Sequence, residues 1–289
     1  MKPAAFDYYA PRSVNAALSL LADYGGDAKV LAGGQSLIPA MNFRLASPRV
    51  LVDVNEIPEL AYIRGDSSGL AIGAMTRHAA VERSTEVRDT APLLAQAIRF
   101  VAHPAIRTRG TIGGSIAHAD PAAELPAVML ALDARFTVRS ADAVRTIAAT
   151  DFFTGLFSTT LRPDELLTEI AIPPMPTRSG FAFDEVSRRH GDFALAGVAA
   201  AVTCDDSGRC TSVRVGLLGV GERATLATQA VAILTGEQPS VEAIRAAAEA
   251  SAARDIDPPG DIHASTRYRR HLAAVLIRRA LDRAVSGIQ

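Results

Sequence analysis

The chain has 289 residues, of which 48% are hydrophobic and 21% charged, and its formal net charge is −1. That length accommodates one large domain or two to three smaller ones, with ample material for packed cores. The near-neutral balance supplies no field that would draw the chain to nucleic acid or an anionic membrane, and two cysteines are too few for a disulfide framework, a zinc site or an iron–sulfur cluster of its own.

In chain order, "MKPAAFDYYAPRS" lacks a signal-peptide core, and no later apolar run approaches the ~18 residues of a membrane span, so a reduced cytoplasmic protein is expected. "SVNAALSLLADYGG" predicts an amphipathic helix capped by Ser13, with Val14, Ala17, Leu18 and Leu21 on one face and Gly25-Gly26 as its stop. "AKVLA" and "RVLVDV" predict short strands, which makes residues 13–55 a small α/β unit. "GLAIGAM" is a further strand, followed by a helix "TRHAAVERS" capped by Thr76. "APLLAQAIRFVA" predicts a helix ending before His103-Pro104, because the residue before a proline is pushed away from helical angles. "DPAAELPAVMLALD" predicts another with Pro121 in its first turn. "ARFTVRS" and "VRTIAA" resemble paired strands, and "DELLTEIAIP" closes the region as a third.

The proline-rich "PPMPTRSG" at Pro173–Gly180 marks a domain boundary. Beyond it, "GFAFDEVSRR", "FALAGVAAAVTC" and "CTSVRVGLLGV" predict strands, the last two joined by a turn at Asp205–Gly208 as an antiparallel meander. Cys204 and Cys210 flank that turn and can pair if they face each other. Three helices follow, and the last, "STRYRRHLAAVLIRRALDRAV", sets an apolar stripe against an Arg-rich face that reads as solvated or partner-facing.

Two stretches stand out. "KVLAGGQSLIPAMNFRLASPRVLVDVN" (Lys29–Asn55) breaks an apolar strand at Gly33-Gly34, and "RTRGTIGGSIAHADPAAELPAVML" places Thr111, Gly113, Gly114 and Ser115 between apolar segments shortly before a helix. Glycine in such a place lets another group approach the main chain closely. Backbone N–H groups in a glycine turn bind anions, and a following helix N-terminus adds positive potential. Either loop alone reads as a plain tight turn. The two together, with matching flanks, point to two backbone cradles closing on one extended ligand that carries a diphosphate. Ser36, Thr111 and Ser115 supply neutral donors and Lys29 a charge. No GxGxxG followed by an acidic residue ~20 positions on is present, which argues against a Rossmann dinucleotide site.

"AGGQSLIPAMNFRLASPRVLVDVN", "RTRGTIGGSIAHADPAAELPAVMLALDA", "LRPDELLTEIAIP" and "RRHGDFALAGVAAAV" closely resemble the FAD-binding medium subunit of molybdenum hydroxylases, the carbon monoxide dehydrogenase and xanthine dehydrogenase group. The resemblance implies an α+β fold. An FAD-binding domain of the vanillyl-alcohol-oxidase type occupies residues 1–175, in lobes of about 1–57 and 58–175, and a C-terminal domain of antiparallel strands and helices occupies 176–289. It implies that Val30, Leu31, Ala32, Gly33, Gly34, Gln35, Ser36 and Leu37 wrap the diphosphate, with Lys29 adjoining. Thr111, Gly114 and Ser115 form the second motif, and Glu124 meets ribityl or ribose hydroxyls. Val101 and Leu161 pack on flavin or adenine, and Phe193 lies beside the isoalloxazine. Asp120 reads equally as a cofactor contact or an N-cap, and Glu124 also suits a first-turn helix charge.

Four positions depart from the family pattern: Phe193 replaces a common Tyr, Asp184-Glu185 stand where Lys is frequent, Ser115 replaces Asn, and Gln35 stands where covalent flavoproteins often have His. Noncovalent FAD is therefore expected. The resemblance further implies a large molybdopterin subunit, a small [2Fe-2S] subunit, a dimer of heterotrimers and an external electron acceptor. The chain would relay electrons as an oxidoreductase subunit, and the hydroxylated substrate would be an N-heteroaromatic compound or carbon monoxide. No GxSxG, HExxH or catalytic dyad is present, and none of its own residues is expected to be catalytic or metal-binding. The alternative is a self-sufficient FAD-dependent oxidase or dehydrogenase, which would need a substrate-binding cluster that the chain does not display.

Overall fold

The computed structural model describes residues 2–288. Ser13, in extended conformation, accepts the Ala16 N–H at 3.2 Å and starts a helix whose Val14, Ala17, Leu18 and Leu21 are buried. That helix covers a three-stranded parallel sheet. The elements are β1 (Asp7–Tyr9), α1 (Val14–Tyr24), β2 (Ala28–Leu31), α2 (Leu37–Asn42) and β3 (Val50–Asp53), with strand order β1-β3-β2.

The second unit has an antiparallel sheet and short helices: β4 (Ile63–Asp66), β5 (Gly69–Gly73), α3 (His78–Arg83), α4 (Thr85–Thr90), α5 (Pro92–Ala97), α6 (Pro104–Arg107), α7 (Ile112–His118), α8 (Glu124–Ala131), β6 (Arg135–Arg139), β7 (Val144–Ala148), α9 (Ala149–Phe152), β8 (Phe153–Gly155), β9 (Ser158–Thr159) and β10 (Leu166–Ile172). Strand β10 closes the sheet from its centre, in order β4-β5-β10-β6-β7, while β8 and β9 form a separate hairpin. The third unit is the meander β11 (Ser179–Ser187), β12 (Ala194–Cys204), β13 (Cys210–Leu218) and β14 (Thr225–Leu226), backed by α10 (Thr228–Leu234), α11 (Val241–Arg254) and α12 (Thr266–Ser286). Mixed helices and antiparallel sheets, with one small parallel sheet, make this the α+β fold expected.

Several local expectations change. Thr76 does not cap α3; its hydroxyl accepts the Tyr62 N–H at 3.1 Å and donates to the Tyr62 carbonyl at 2.9 Å, fastening the approach to β5. The single helix read from Ala91 to Ala102 is α5 alone, ending at Ala97, and α4 precedes it. Pro121 lies in a turn ahead of α8, and Asp120 accepts the Ala122 N–H at 2.9 Å in that turn without capping a helix. The second glycine motif is itself helical: Thr111 is the N-cap of α7 and accepts the Gly114 N–H at 3.1 Å. Cys204 and Cys210 do face each other across β12 and β13, as buried free thiols with sulfurs 4.0 Å apart.

Helix α8 ties the second and third units together. All of its residues are buried, so it has no solvent face. Its core joins Leu125 and Val128 to Phe136 and Ile170 of the five-stranded sheet and to Phe183, Ala199 and Leu218 of the meander. Gly216 on β13 permits this contact, because a Cβ there would lie 2.1 Å from the Ala127 carbonyl oxygen. On the opposite face of the meander, Gly180 does the same for α12, where a Cβ would lie 1.8 Å from the Ala284 carbonyl oxygen. Forced overpacking of this kind costs about 1–3 kcal/mol or more. Gly216→Val is therefore expected to lower the urea midpoint by at least that equivalent, whereas Ile262→Ser, at a residue 95% exposed, should stay within about 0.5 kcal/mol. Equal midpoints for the two variants would contradict this account of the α8 contact.

Candidate functional site

Strands β2 and β3 run parallel, and the loops leaving their carboxyl ends open a cleft of about 380 Å³. Ligands of open α/β sheets commonly bind outside the carboxyl ends of strands. Its lining comes from Leu31–Gln35, Ile38 and Pro39 after β2, Asp53 and Asn55 after β3, and Arg109 from the second glycine stretch. Asn55 is shared with an adjoining, more apolar cleft of about 370 Å³ that includes Ile57, Tyr62, Met75 and Arg77.

The two glycine stretches, 80 residues apart, meet at backbone level. A Cβ on Gly33 would lie 2.4 Å from the Arg109 carbonyl oxygen and 2.8 Å from the Gly110 Cα; one on Gly114 would lie 3.5 Å from the Ala32 Cβ. Their roles differ. In the first stretch Gly34 takes a left-handed φ of +73°. Among the described residues, no protein group accepts from the N–H groups of Gly33, Gly34, Gln35 or Ser36. Consecutive open N–H groups around a left-handed residue form an anion-binding concavity. In the second stretch the donors are already engaged: Ile112 and Gly113 donate to the Thr76 and Ala74 carbonyls, Gly114 to Thr111 Oγ1, and Ser115 to the Thr111 carbonyl. Gly113 and Gly114 therefore serve close packing. A Cβ on Gly113 would lie 2.5 Å from that of Ala74.

A strap of polar side chains holds the stretches in register. Asn55 donates through Nδ2 to the Ala32 carbonyl at 2.8 Å and accepts through Oδ1 from Arg77 Nη2 at 2.7 Å. Arg77 Nη1 donates to the Arg109 carbonyl. Asp53 Oδ1 accepts the Asn55 N–H at 2.9 Å and so fixes the start of the strap. Arg77 and Arg109 make no ion pair with a carboxylate among the described residues, which leaves positive potential beside the open N–H groups. Under Gly110 sits His78, with no partner for either ring nitrogen. Burial pushes its pKa down to about 4, so it is a neutral wedge at physiological pH.

Of the residues singled out from sequence, Leu31, Ala32, Gly33, Gly34 and Gln35 line the cleft, with Thr111, Gly114 and Ser115 on the helix behind it. Lys29 is exposed on β2 and lies outside the lining, where Arg109 is the cation present; Val30 packs into the core of the first unit. Ser36 is exposed and Leu37 begins α2. Val101 is buried and Leu161 packs against the same core. Asp120 is half-buried, and burial raises its carboxyl above the ordinary range. Glu124 is buried at the start of α8, and Phe193 is 66% exposed on the loop before β12. These last five lie outside the cleft lining. The sequence reading missed Asp53, Asn55, Arg77 and Arg109. Asn55 and Arg109 belong to the two glycine-bearing stretches, but only the folded contact reveals what they join.

Comparison with known proteins identifies the family. Residues 4–175, more than half of the chain, match the family model described as the FAD binding domain in molybdopterin dehydrogenase, and residues 181–284 match the CO dehydrogenase flavoprotein C-terminal domain. The 6-hydroxypseudooxynicotine dehydrogenase complex subunit alpha of Paenarthrobacter nicotinovorans is 46% identical over 99% of this chain and 96% of its own. The carbon monoxide dehydrogenase medium chain of Hydrogenophaga pseudoflava is 39% identical over 98% of both chains. A solved structure of carbon monoxide dehydrogenase from that organism superposes with a TM-score of 0.97 at 39% identity, covering 100% of both chains. With the family model matched over more than half of the chain and relatives aligned along nearly its whole length, the chain belongs to the FAD-binding medium subunits of the molybdenum hydroxylases, flavoprotein components of oxidoreductase complexes.

Proposed function

We propose that this chain holds FAD noncovalently with its diphosphate on the N–H groups of Gly33, Gly34, Gln35 and Ser36. It relays electrons from [2Fe-2S] clusters of a small subunit to an external acceptor. In this reading residues 1–175 form the cofactor-binding part and residues 176–289 the C-terminal part. A large molybdopterin subunit carries out the hydroxylation, and the assembly is a cytoplasmic dimer of heterotrimers. The observation that carries the reading is the run of four unpaired N–H groups at a left-handed glycine, set beside an unpaired Arg109.

The residues present suit the cofactor. The bare Gly33-Gly34 backbone admits a phosphate to van der Waals contact, which a side chain would prevent. Arg109 supplies positive charge, and Arg77 and Asn55 hold the two loops together. Gln35 Nε2 donates to the Gly33 carbonyl at 2.9 Å, and an amide offers no nucleophile for covalent attachment. Thr111, Gly114 and Ser115 bring α7 behind the diphosphate, and Phe193 leaves an aromatic face for the flavin ring. Val101, Leu161, Asp120 and Glu124 complete the surroundings of the flavin and ribityl portions. Bound FAD supplies the redox chemistry, since it exchanges electrons singly with iron–sulfur clusters and in pairs with other acceptors. The substrate class that best suits the 46% identical relative is an N-heteroaromatic compound of the nicotine type.

Gly33→Val forces the two glycine stretches apart, because its Cβ would clash with the Arg109 and Gly110 backbone. The expected product is a folded, flavin-poor chain, read from the ratio of flavin to protein absorbance. Full occupancy would overturn the placement of the diphosphate. Arg77→Ala removes two charge-assisted hydrogen bonds that join the two loops. Losing one such bond costs roughly 1.5–3 kcal/mol, so FAD affinity is expected to weaken by about tenfold to a hundredfold in a fluorescence titration. An unchanged affinity would refute the positioning role of the strap.

A further inference from the structure

The cleft beside the open N–H groups also holds a carboxyl that a diphosphate would not use. Asp53 ends β3, and in the parallel pairing it stands opposite Leu31, the last residue of β2 before Ala32-Gly33-Gly34. The two strand ends open side by side, one delivering main-chain donors and the other an acceptor. Asp53 is half-buried and lines the same cleft as Gly33, Gly34 and Gln35.

Three hydrogen bonds fix its carboxyl. Oδ1 accepts the Asn55 N–H at 2.9 Å and the Asn55 side-chain amide, and Oδ2 accepts the hydroxyl of Tyr8, from the edge strand β1, at 2.6 Å. A carboxylate offers about four lone-pair sites, so Oδ2 keeps one for a donor arriving from the cleft. No cation forms an ion pair with Asp53 among the described residues.

The two halves of the cleft set what it takes. The N–H groups of Gly33, Gly34, Gln35 and Ser36, with Arg109 beside them, call for an anion. Asp53 excludes one at its own end, because a phosphate brings negative charge and no proton to share. An acceptor-only group needs a donor, and on a ligand that carries a diphosphate the hydroxyls of an attached sugar are the donors next in line. Apolar surface for a flat base is at hand as well. Pro39 lines the cleft, and a Cβ on Gly34 would lie 3.2 Å from Ile38 Cγ1 and 3.3 Å from Leu31 Cδ1. Dinucleotide-binding α/β units place an acidic residue about 20 positions after their glycines to take ribose hydroxyls. Gly33 and Asp53 keep that interval although the GxGxxG fingerprint is absent.

We propose that Asp53, its carboxyl oriented by Tyr8 and Asn55, accepts the hydroxyls of the adenosine ribose, so that this cleft selects the nucleoside diphosphate half of the cofactor. The proposal rests on the FAD reading above and names which half of that ligand the cleft takes. The flavin half then leaves the cleft, in keeping with Val101, Leu161 and Phe193 lying outside its lining.

The test titrates the full chain, freed of flavin, with FAD and with an analogue that carries 2′,3′-dideoxyadenosine in place of adenosine, following flavin fluorescence. Both ligands keep the ribityl hydroxyls, so their difference reports the ribose alone. Losing a hydrogen bond to a charged group weakens binding by roughly tenfold to a hundredfold, and the wild type is expected to prefer FAD by that factor. In Asp53→Ala the preference should disappear. A role confined to holding Asn55 would weaken both ligands alike and leave the preference as it was, which would overturn the assignment. Equal wild-type affinities would overturn it too, with the FAD reading intact. A wild type that binds neither ligand would overturn the FAD reading and this assignment with it. Should Asp53→Ala not fold, the isosteric Asp53→Asn makes the same comparison: a reduced preference supports the assignment, and one as large as the wild type's overturns it.

Discussion

The contact on which the site depends is the one between the Gly33 backbone and the carbonyl of Arg109. No side chain fits between them, and the approach brings the carboxyl ends of β2 and β3 against the N-terminus of α7. Everything functional in the first two units follows from that closeness. It forms the cleft, places Arg109 beside open main-chain donors, and brings Asn55 and Arg77 within reach of both stretches.

The two glycine motifs look alike in sequence yet do different physical work. The first keeps its N–H groups free because the chain turns through a left-handed glycine before α2 begins. The second spends its N–H groups on β5 and on its own cap, and uses small residues to let a helix pass close to Ala74 and Ala32. One leaves its donors open and the other packs. This explains why the charge beside the cleft comes from the second stretch, on Arg109, and not from Lys29, which projects from the exposed side of β2.

The third unit is joined to the second through a continuous apolar core around α8, so it cannot move as a loose appendage. Such a helix, buried on every side, leaves little solvent for the charged residue at its start.

Much of the fold could be read from residues alone. Alternation and turn chemistry gave the C-terminal meander, the Ser13 cap gave α1, and the family motifs identified the cofactor domain, because each of these signals is local. Less legible were Thr76, whose hydroxyl bonds Tyr62 across a turn, and the extent of α5, which ends at Ala97 although its apolar pattern continues. Local pattern thus determined the elements, the glycine stretches and the class of ligand they suit. Tertiary structure alone decided which glycine stretch keeps its N–H groups open and which cation faces the cleft, since each of these depends on groups far apart in the chain being brought together.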